Sequence, residues 1–401
     1  MRTLRLPRRS VLRMAGATIV ASWACDRGAP GPSDSGPAVS AGGWPGKAPD
    51  MTLLTERPPN LEMPAKYLAY DLTPNEAMFV RWHLAGLPTS IDERTFRLKV
   101  SGHVARPLEL SLDDLKKSFS PLSITAVNQC SGNGRGTFEP RVPGVQWVAG
   151  AIGNAKWTGV RLKDVLERAG LEAGAVDMTF GGLDRPPLRS TPDFVKSLAA
   201  ARAQDPDVLV AWAMNDAPLP MLHGFPLRLV VPGWYSTYWV KALDAVTVLP
   251  IAFDGYWMAK AYRIPKNDDA NEAPADLAKD TTPISRMNVR SLFAKPLGGE
   301  RIARGQAYGV EGIAFDGGSG IARVELSTDG GASFRDVQLG DDLGKYSWRR
   351  WRTTWTPTAA GPATLVVRAT SVAGELQRAT PRWNRAGYMK NDPERVEVTV
   401  T

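Results

Sequence analysis

Regular alternation of apolar and polar positions begins at residues 96–104, where it predicts a strand. Ser111 then reads as the cap of a short helix through Leu112 and Leu115, with Asp113 and Asp114 in its first turn. Residues 122–127 form a strand-like run, and residues 158–171 give the clearest helix. There Val160, Leu162, Val165, Leu166 and Ala169 make an apolar stripe that ends at Gly170. Residues 208–212 and 227–231 read as buried strands, whereas residues 50–95 read as irregular. Beyond residue 285 the helical spacing fades and turn signals recur. Val324-Glu325-Leu326 runs into Asp329-Gly330-Gly331, a hairpin signature. Further alternating runs fall at 348–355, 365–370 and 396–400, a rhythm that predicts a β-sandwich of immunoglobulin type. The fold class is therefore α+β: a mixed α/β domain over 61–284, followed by an all-β domain over 285–401.

Composition supports two domains. The chain has 401 residues, enough for two full cores, with 38 Gly, 32 Pro and 13 Trp, which suits a loop-rich β-containing protein better than a helical bundle. The formal charge of +8 overstates the body, because residues 1–25 hold five arginines and no acid. No basic stripe with interleaved aromatics is present, which speaks against a nucleic-acid partner. The basic start contains Arg8-Arg9-Ser10-Val11-Leu12-Arg13, and an apolar stretch follows at residues 14–24. That stretch is too short to span a bilayer and reads as an export signal of twin-arginine type over 1–25, which implies a periplasmic destination. Cys25 is either lipidated or removed with the signal. Residues 26–60 form a Gly-, Pro- and Ser-rich leader and the start of the body.

Only Cys25 and Cys130 are cysteines, so the exported body has a single thiol and no internal disulfide. Cys130 lies in Asn128-Gln129-Cys130-Ser131-Gly132-Asn133-Gly134-Arg135, directly after the strand-like run. Taken alone it reads equally well as a metal ligand, a nucleophile or a small buried hydrophobe. Three further segments set polar residues among apolar ones: Phe79-Val80-Arg81-Trp82-His83, His223-Gly224-Phe225-Pro226-Leu227-Arg228 with Trp239-Val240-Lys241, and Tyr256-Trp257-Met258-Ala259-Lys260-Ala261-Tyr262. Outside any motif, Arg228 would be a surface ion pair, Lys241 a solvated strand end, Asp184 a turn residue, His83 a core histidine and Tyr262 an interface aromatic.

In this order the segments resemble the sulfite oxidase family of molybdenum enzymes, most of all the bacterial periplasmic sulfite dehydrogenases, whose molybdenum subunit is haem-free. Trp157-Thr158-Gly159-Val160-Arg161-Leu162 and the C-terminal Trp383-Asn384 strengthen the likeness, and the sandwich resembles the family's dimerisation domain. The resemblance implies one molybdenum per chain, held by a molybdopterin and by the sulfur of Cys130; a soft thiolate suits a transition metal. It also implies that Phe79, Val80, Arg81, Trp82, His83, Asp184, His223, Arg228, Trp239, Val240 and Lys241 contact the cofactor, whose phosphate needs cationic donors. Arg81 and Arg135 would form the anion pocket. His83 would add a donor, and a cation when protonated. Tyr262 would be the active-site tyrosine, and Arg395 is a further candidate. The implied reaction is oxygen-atom transfer that turns sulfite into sulfate.

The chain has no Cys-x-x-Cys-His and too few cysteines for an iron–sulfur cluster, and no haem or flavin domain is evident. Electrons are therefore expected to leave to a separate acceptor such as a cytochrome c. Homodimer and heterodimer both remain open. Trp234, Tyr235, Tyr238 and Trp239 either line a docking face or pack, with packing favoured. A related molybdopterin reductase acting on another oxyanion or a sulfoxide is the nearest alternative function; an exported binding protein is the alternative from another class.

Overall fold

The computed structural model describes residues 44–401 and the backbone of Val39–Ser40. The expected export signal over 1–25, with Cys25, lies outside the described residues. No helix among the described residues is long and apolar enough to cross a membrane. Strands dominate, and the α-helices are short: Leu112–Ser118, Leu162–Ala169, Ala200–Ala203 and Tyr256–Ala259.

Two sheets form the frame of the first half. One orders Lys196–Ala199, Asp177–Gly182, Leu243–Leu249, Leu98–Gly102 and Leu108–Leu110. The other runs Ala217–Pro218, Leu209–Met214, Ile152–Arg161 and Pro121–Gln129, with Arg228–Val230 added against Leu209–Met214. The central strand Ile152–Arg161 has neighbours on both edges, and Ala155, Trp157 and Val160 are fully buried. The expected helix over 158–171 is therefore half strand: the chain stays extended to Arg161 and the helix begins only at Leu162. Sheet packing overrides the helical stripe because Trp157, Thr158 and Val160 favour a pleated surface. Gly159 allows the close approach, since a Cβ there would meet the Val210 carbonyl oxygen at 2.1 Å. The C-terminal half of the expected helix holds, with Gly170 closing it in a left-handed conformation. The Ser111 cap also holds, as a reciprocal capping box with Asp114.

Residues 50–95 are less irregular than the sequence suggests. Thr52–Glu56, Pro59–Glu62 and Val80–Arg81 join in one sheet. None exceeds five residues, which is too short for an alternation pattern to show. Glu62 ties this sheet to the body by accepting from the backbone N–H groups of Val148, Ala149 and Gly150 at 2.8–3.0 Å.

The second half is a β-sandwich. One sheet orders Arg290–Lys295, Tyr308–Phe315, Arg349–Trp355 and Gln338–Leu339; the other orders Arg301–Ile302, Glu394–Val400, Gly361–Ser371, Ile321–Ser327 and Arg335–Asp336. Its own core gathers Val310, Val324, Trp351, Leu365 and Val367. The Asp329 turn joins Ile321–Ser327 to Arg335–Asp336 in the expected hairpin. This half also grips the Cys130 loop: Met389 N–H donates to Ser131 O at 2.9 Å and Arg290 Nη1 to Asn133 O at 2.9 Å.

Candidate active site

Cys130 ends a strand and begins a tight loop. Its N–H donates to Ala151 O at 2.9 Å and its carbonyl accepts from Asn133 N–H at 3.0 Å, which fixes the thiol at the end of Pro121–Gln129. The residue is 5% exposed and unpaired. The loop's small residues let Arg135 fold back over it: a Cβ at Gly132 would meet Arg135 Nη2 at 2.5 Å. Arg135 then donates to Ala386 O at 2.9 Å and Val145 O at 3.2 Å, and its guanidinium lies 5.1 Å from the Tyr388 ring centre.

Tyr262 stands opposite. Its φ of 56° is unusual for a bulky residue and costs on the order of 1–2 kcal/mol. The conformation is held by Ile284 N–H donating to Tyr262 O at 2.9 Å. The hydroxyl meets His83 Nε2 at 2.5 Å and Arg81 Nη2 at 3.4 Å. Its ring stacks on Tyr388 with centroids 5.5 Å apart. Burial lifts the Tyr262 hydroxyl above its ordinary pKa; Arg81 pulls the other way, and charges on Cys130 and Arg135 act in opposite senses. His83 stacks on Phe194 at 3.7 Å. Burial, then Arg81, Lys241 and Lys196, hold its imidazole well below the usual range. Burial first, and then these neighbouring groups, favour the uncharged imidazole.

A cleft continues from this point. Phe79, Arg81, Trp82, His83, Asp184, Arg228, Trp239 and Lys241 line it, together with Asn128, Phe194 and Ser236. Val80 is buried beneath it in the Val80–Arg81 strand, and Val240 N–H bonds within the same turn. Arg228 is 2% exposed and sits between indoles, 5.0 Å from the Trp157 ring centre and 5.7 Å from that of Trp239. Burial pushes it down to about 9. Lys241 caps the Arg81 carbonyl and lies 4.6 Å from the Trp82 ring centre. Burial, then Arg228 and Arg81, drive its ammonium well below the ordinary lysine value. Asp184 is the one acid lining the cleft among the described residues, and burial pushes it up to about 6. Asn128 Nδ2, Arg228 Nε and His223 Nδ1 are buried donors with no protein acceptor. Buried polar groups need partners, and cations crowded without counter-charges need an anion. The donor set therefore fits an anionic group such as a pterin phosphate.

Of the site residues expected from the sequence, Phe79, Arg81, Trp82, His83, Asp184, Arg228, Trp239 and Lys241 line the cleft, Tyr262 bonds to Arg81 and His83, and Arg228 bonds to the His223 carbonyl; Arg395 lies elsewhere. That residue is exposed on Glu394–Val400 in the sandwich and donates to Gly330 O at 3.0 Å. Nothing in its strand's spacing distinguished it from a site arginine. Tyr235, Tyr238 and Trp239 are at most 2% exposed, so they pack rather than face a partner. Sequence reasoning missed Asn128, Phe194, Ser236, Tyr388 and Lys196. Asn128 was inside a quoted motif. Tyr388 is held by Asn384, whose side chain donates to Tyr388 O at 2.9 Å and accepts from its N–H at 3.0 Å, so Trp383-Asn384 was a signal pointing at it. Lys196, fully buried, donates to Trp257 O at 2.6 Å and lies 5.3 Å from the Tyr262 ring centre. No motif marked it.

Known proteins share these features. Residues 84–257 match the family described as oxidoreductase molybdopterin binding domain, and residues 281–401 match the Mo-co oxidoreductase dimerisation domain. The chain is 35% identical over 380 residues to mitochondrial sulfite oxidase of Homo sapiens, covering 89% of this chain and 67% of the relative. It is 33% identical over 368 residues to sulfite oxidase of Gallus gallus, covering 86% and 77%. Nitrate reductase [NADH] 1 of Oryza sativa subsp. japonica is 30% identical, but only 42% of its length is covered. In structure the chain resembles the sulfane dehydrogenase SoxCD from Paracoccus pantotrophus, with a TM-score of 0.75 over 96% of this chain and 98% of that one, at 24% identity; that likeness concerns the fold. The match to enzymes removes the binding-protein alternative. The chain belongs to the sulfite oxidase family of molybdopterin-dependent oxidoreductases.

Proposed function

We propose that this protein oxidises sulfite to sulfate in the periplasm and passes the electrons singly to a cytochrome c. The balance is sulfite plus water giving sulfate, two protons and two electrons. The observation that carries the reading is a cleft lined by Arg81, His83, Arg228 and Lys241 in which Asn128 and Arg228 hold buried donors without protein acceptors. The lone thiol of Cys130, directly after the strand that bears Asn128, lies near enough for its charge to act on Tyr262 and Lys241.

Cys130 would hold the molybdenum as a thiolate. Arg228, Lys241, His223 and Asp184 would hold the pterin and its phosphate, with Phe79, Val80, Arg81, Trp82, His83, Trp239 and Val240 closing the bed. The molybdenum cofactor supplies the oxygen-atom and electron transfer chemistry; the chain supplies position and charge. Arg81 and Arg135 draw the sulfite dianion into the pocket, where few waters screen them. The Tyr262 hydroxyl is held between His83 Nε2 and Arg81 Nη2. His83, whose imidazole burial keeps well below the usual range, orients that hydroxyl rather than taking up a proton. The twin-arginine signal and the sulfite oxidase relatives support the location and substrate, and the dimerisation-domain match supports self-association or pairing with an electron-carrying subunit.

Steady-state assays with sulfite and either cytochrome c or ferricyanide test this, on wild type and Cys130→Ser. Turnover by the wild type and background activity in the serine variant are expected. Undiminished turnover in that variant would remove Cys130 as the ligand.

A further inference from the structure

Lys47 reaches the cofactor bed from the chain's N-terminal side, ahead of the first well-formed strand. Its Nζ lies 2.9 Å from Asn75 O, 2.6 Å from Met78 O and 2.9 Å from His223 Nε2. An ammonium has three N–H donors and no lone pair, so three acceptors complete it. Burial lowers the Lys47 ammonium to about 7, with the Glu76 charge opposing; in its protonated form Lys47 has no lone pair to offer, so His223 Nε2 is the acceptor. His223 is fully buried, and burial, then Lys47, Arg228 and Lys241, hold its imidazole well below the usual range, so the ring is neutral. A neutral imidazole that accepts at Nε2 carries its proton on Nδ1. Nδ1 has no protein partner. It lies in the cationic cluster: Arg228 Nη1 donates to His223 O at 3.3 Å, and a Cβ on the left-handed Gly224 would meet Lys241 Cα at 2.9 Å.

We propose that Lys47 is a positioning residue that fixes His223 in its Nδ1–H tautomer, leaving that N–H to donate to the anionic end of the molybdopterin. This rests on the reading of His223 as a cofactor contact. The Asn75 carbonyl, already bonded to Lys47, is the competing acceptor that would favour a proton on Nε2. The segment that follows the export leader thereby helps to set the cofactor's hydrogen-bonding.

The test is nitrogen NMR on protein labelled with ¹⁵N-histidine, expressed with its cofactor. The chain has three histidines, so His103→Gln and His223→Gln suffice to assign the His223 pair. The wild type is expected to carry the His223 proton on Nδ1. Lys47→Met should shift it toward Nε2 and lower pterin retained after dialysis by about 10-fold, as loss of a supporting hydrogen bond does at metal sites. Lys47→Gln keeps an amide donor without charge and should hold the Nδ1–H tautomer, which separates this role from a merely structural one. A wild-type proton on Nε2, or an unchanged tautomer in Lys47→Met, overturns the proposal. Unchanged pterin content in His223→Gln would instead overturn the underlying cofactor contact, whatever the tautomer.

Discussion

The two ends of the cleft are both cationic, yet they are built differently. At the substrate end Arg81 and Arg135 are tied to carbonyls and to Tyr262, and the Arg135 guanidinium rests against Tyr388. Several of their N–H groups are already partnered before any substrate arrives. At the cofactor end Arg228 Nε, Asn128 Nδ2 and His223 Nδ1 have no acceptor, and burial depresses both Arg228 and Lys241. That end is unfavourable by itself and becomes favourable with a resident anion. A transient anion needs a pocket that survives its departure; a permanent one can serve as a structural counter-ion.

Four changes would break or sharpen this contrast. Lys241→Met should have the largest effect: pterin content falls to background, while the cofactor-free protein becomes more stable, because a buried amine whose charged form is disfavoured is replaced by an apolar side chain. Pterin analysis and thermal melting measure the two; a destabilised cofactor-free variant would contradict the account. Arg81→Gln should raise the KM for sulfite roughly 10- to 100-fold, the worth of a charged hydrogen bond, and alter molybdenum content far less. An unchanged KM would remove the anion-pocket role.

The third change is in pH. Lys196 is fully buried, and burial followed by Arg263 lowers its ammonium to about 7. Between that value and the unfolded one of about 10.4, the unfolded chain binds more protons, so stability rises with pH. The cofactor-free protein should therefore gain stability from pH 7 to 10, and Lys196→Met should remove about 1.4 kcal/mol per pH unit of that slope. Asp184 and Glu394, raised to about 6 and about 7, act in the opposite sense but finish near the lower edge of this window. Melting curves across the range are the check. Tyr388→Leu should be mildest, lowering kcat/KM about 2- to 10-fold through loss of the ring stacked on Tyr262.

Much of this was legible in the sequence because motifs carry chemistry locally. The Cys130 loop, Arg81 with His83, and His223 through Lys241 each sit within short runs whose types declare a charge or a ligand. The partners that complete them are scattered. Tyr388 comes from the C-terminal half, Lys196 from a four-residue strand, and Lys47 from the connection between Val39–Ser40 and Thr52–Glu56. Only the fold makes them neighbours. The lowering of the His83 imidazole was hidden for the same reason: it depends on burial and on Arg81, Lys241 and Lys196, two of them distant in sequence. In the fold, turn and cap chemistry were legible at Ser111, Gly170 and Asp329. The strand through Trp157 to Arg161 was not, because a strand buried between two neighbours has no alternation to distinguish it from a helical stripe.

The central claim is that Cys130 ties the metal to this chain. X-ray absorption at the molybdenum edge, on wild type and on Cys130→Ser loaded with cofactor, counts the sulfur ligands directly. The account predicts one more sulfur ligand in the wild type than in the variant, the difference being Cys130. An equal count in both would contradict it.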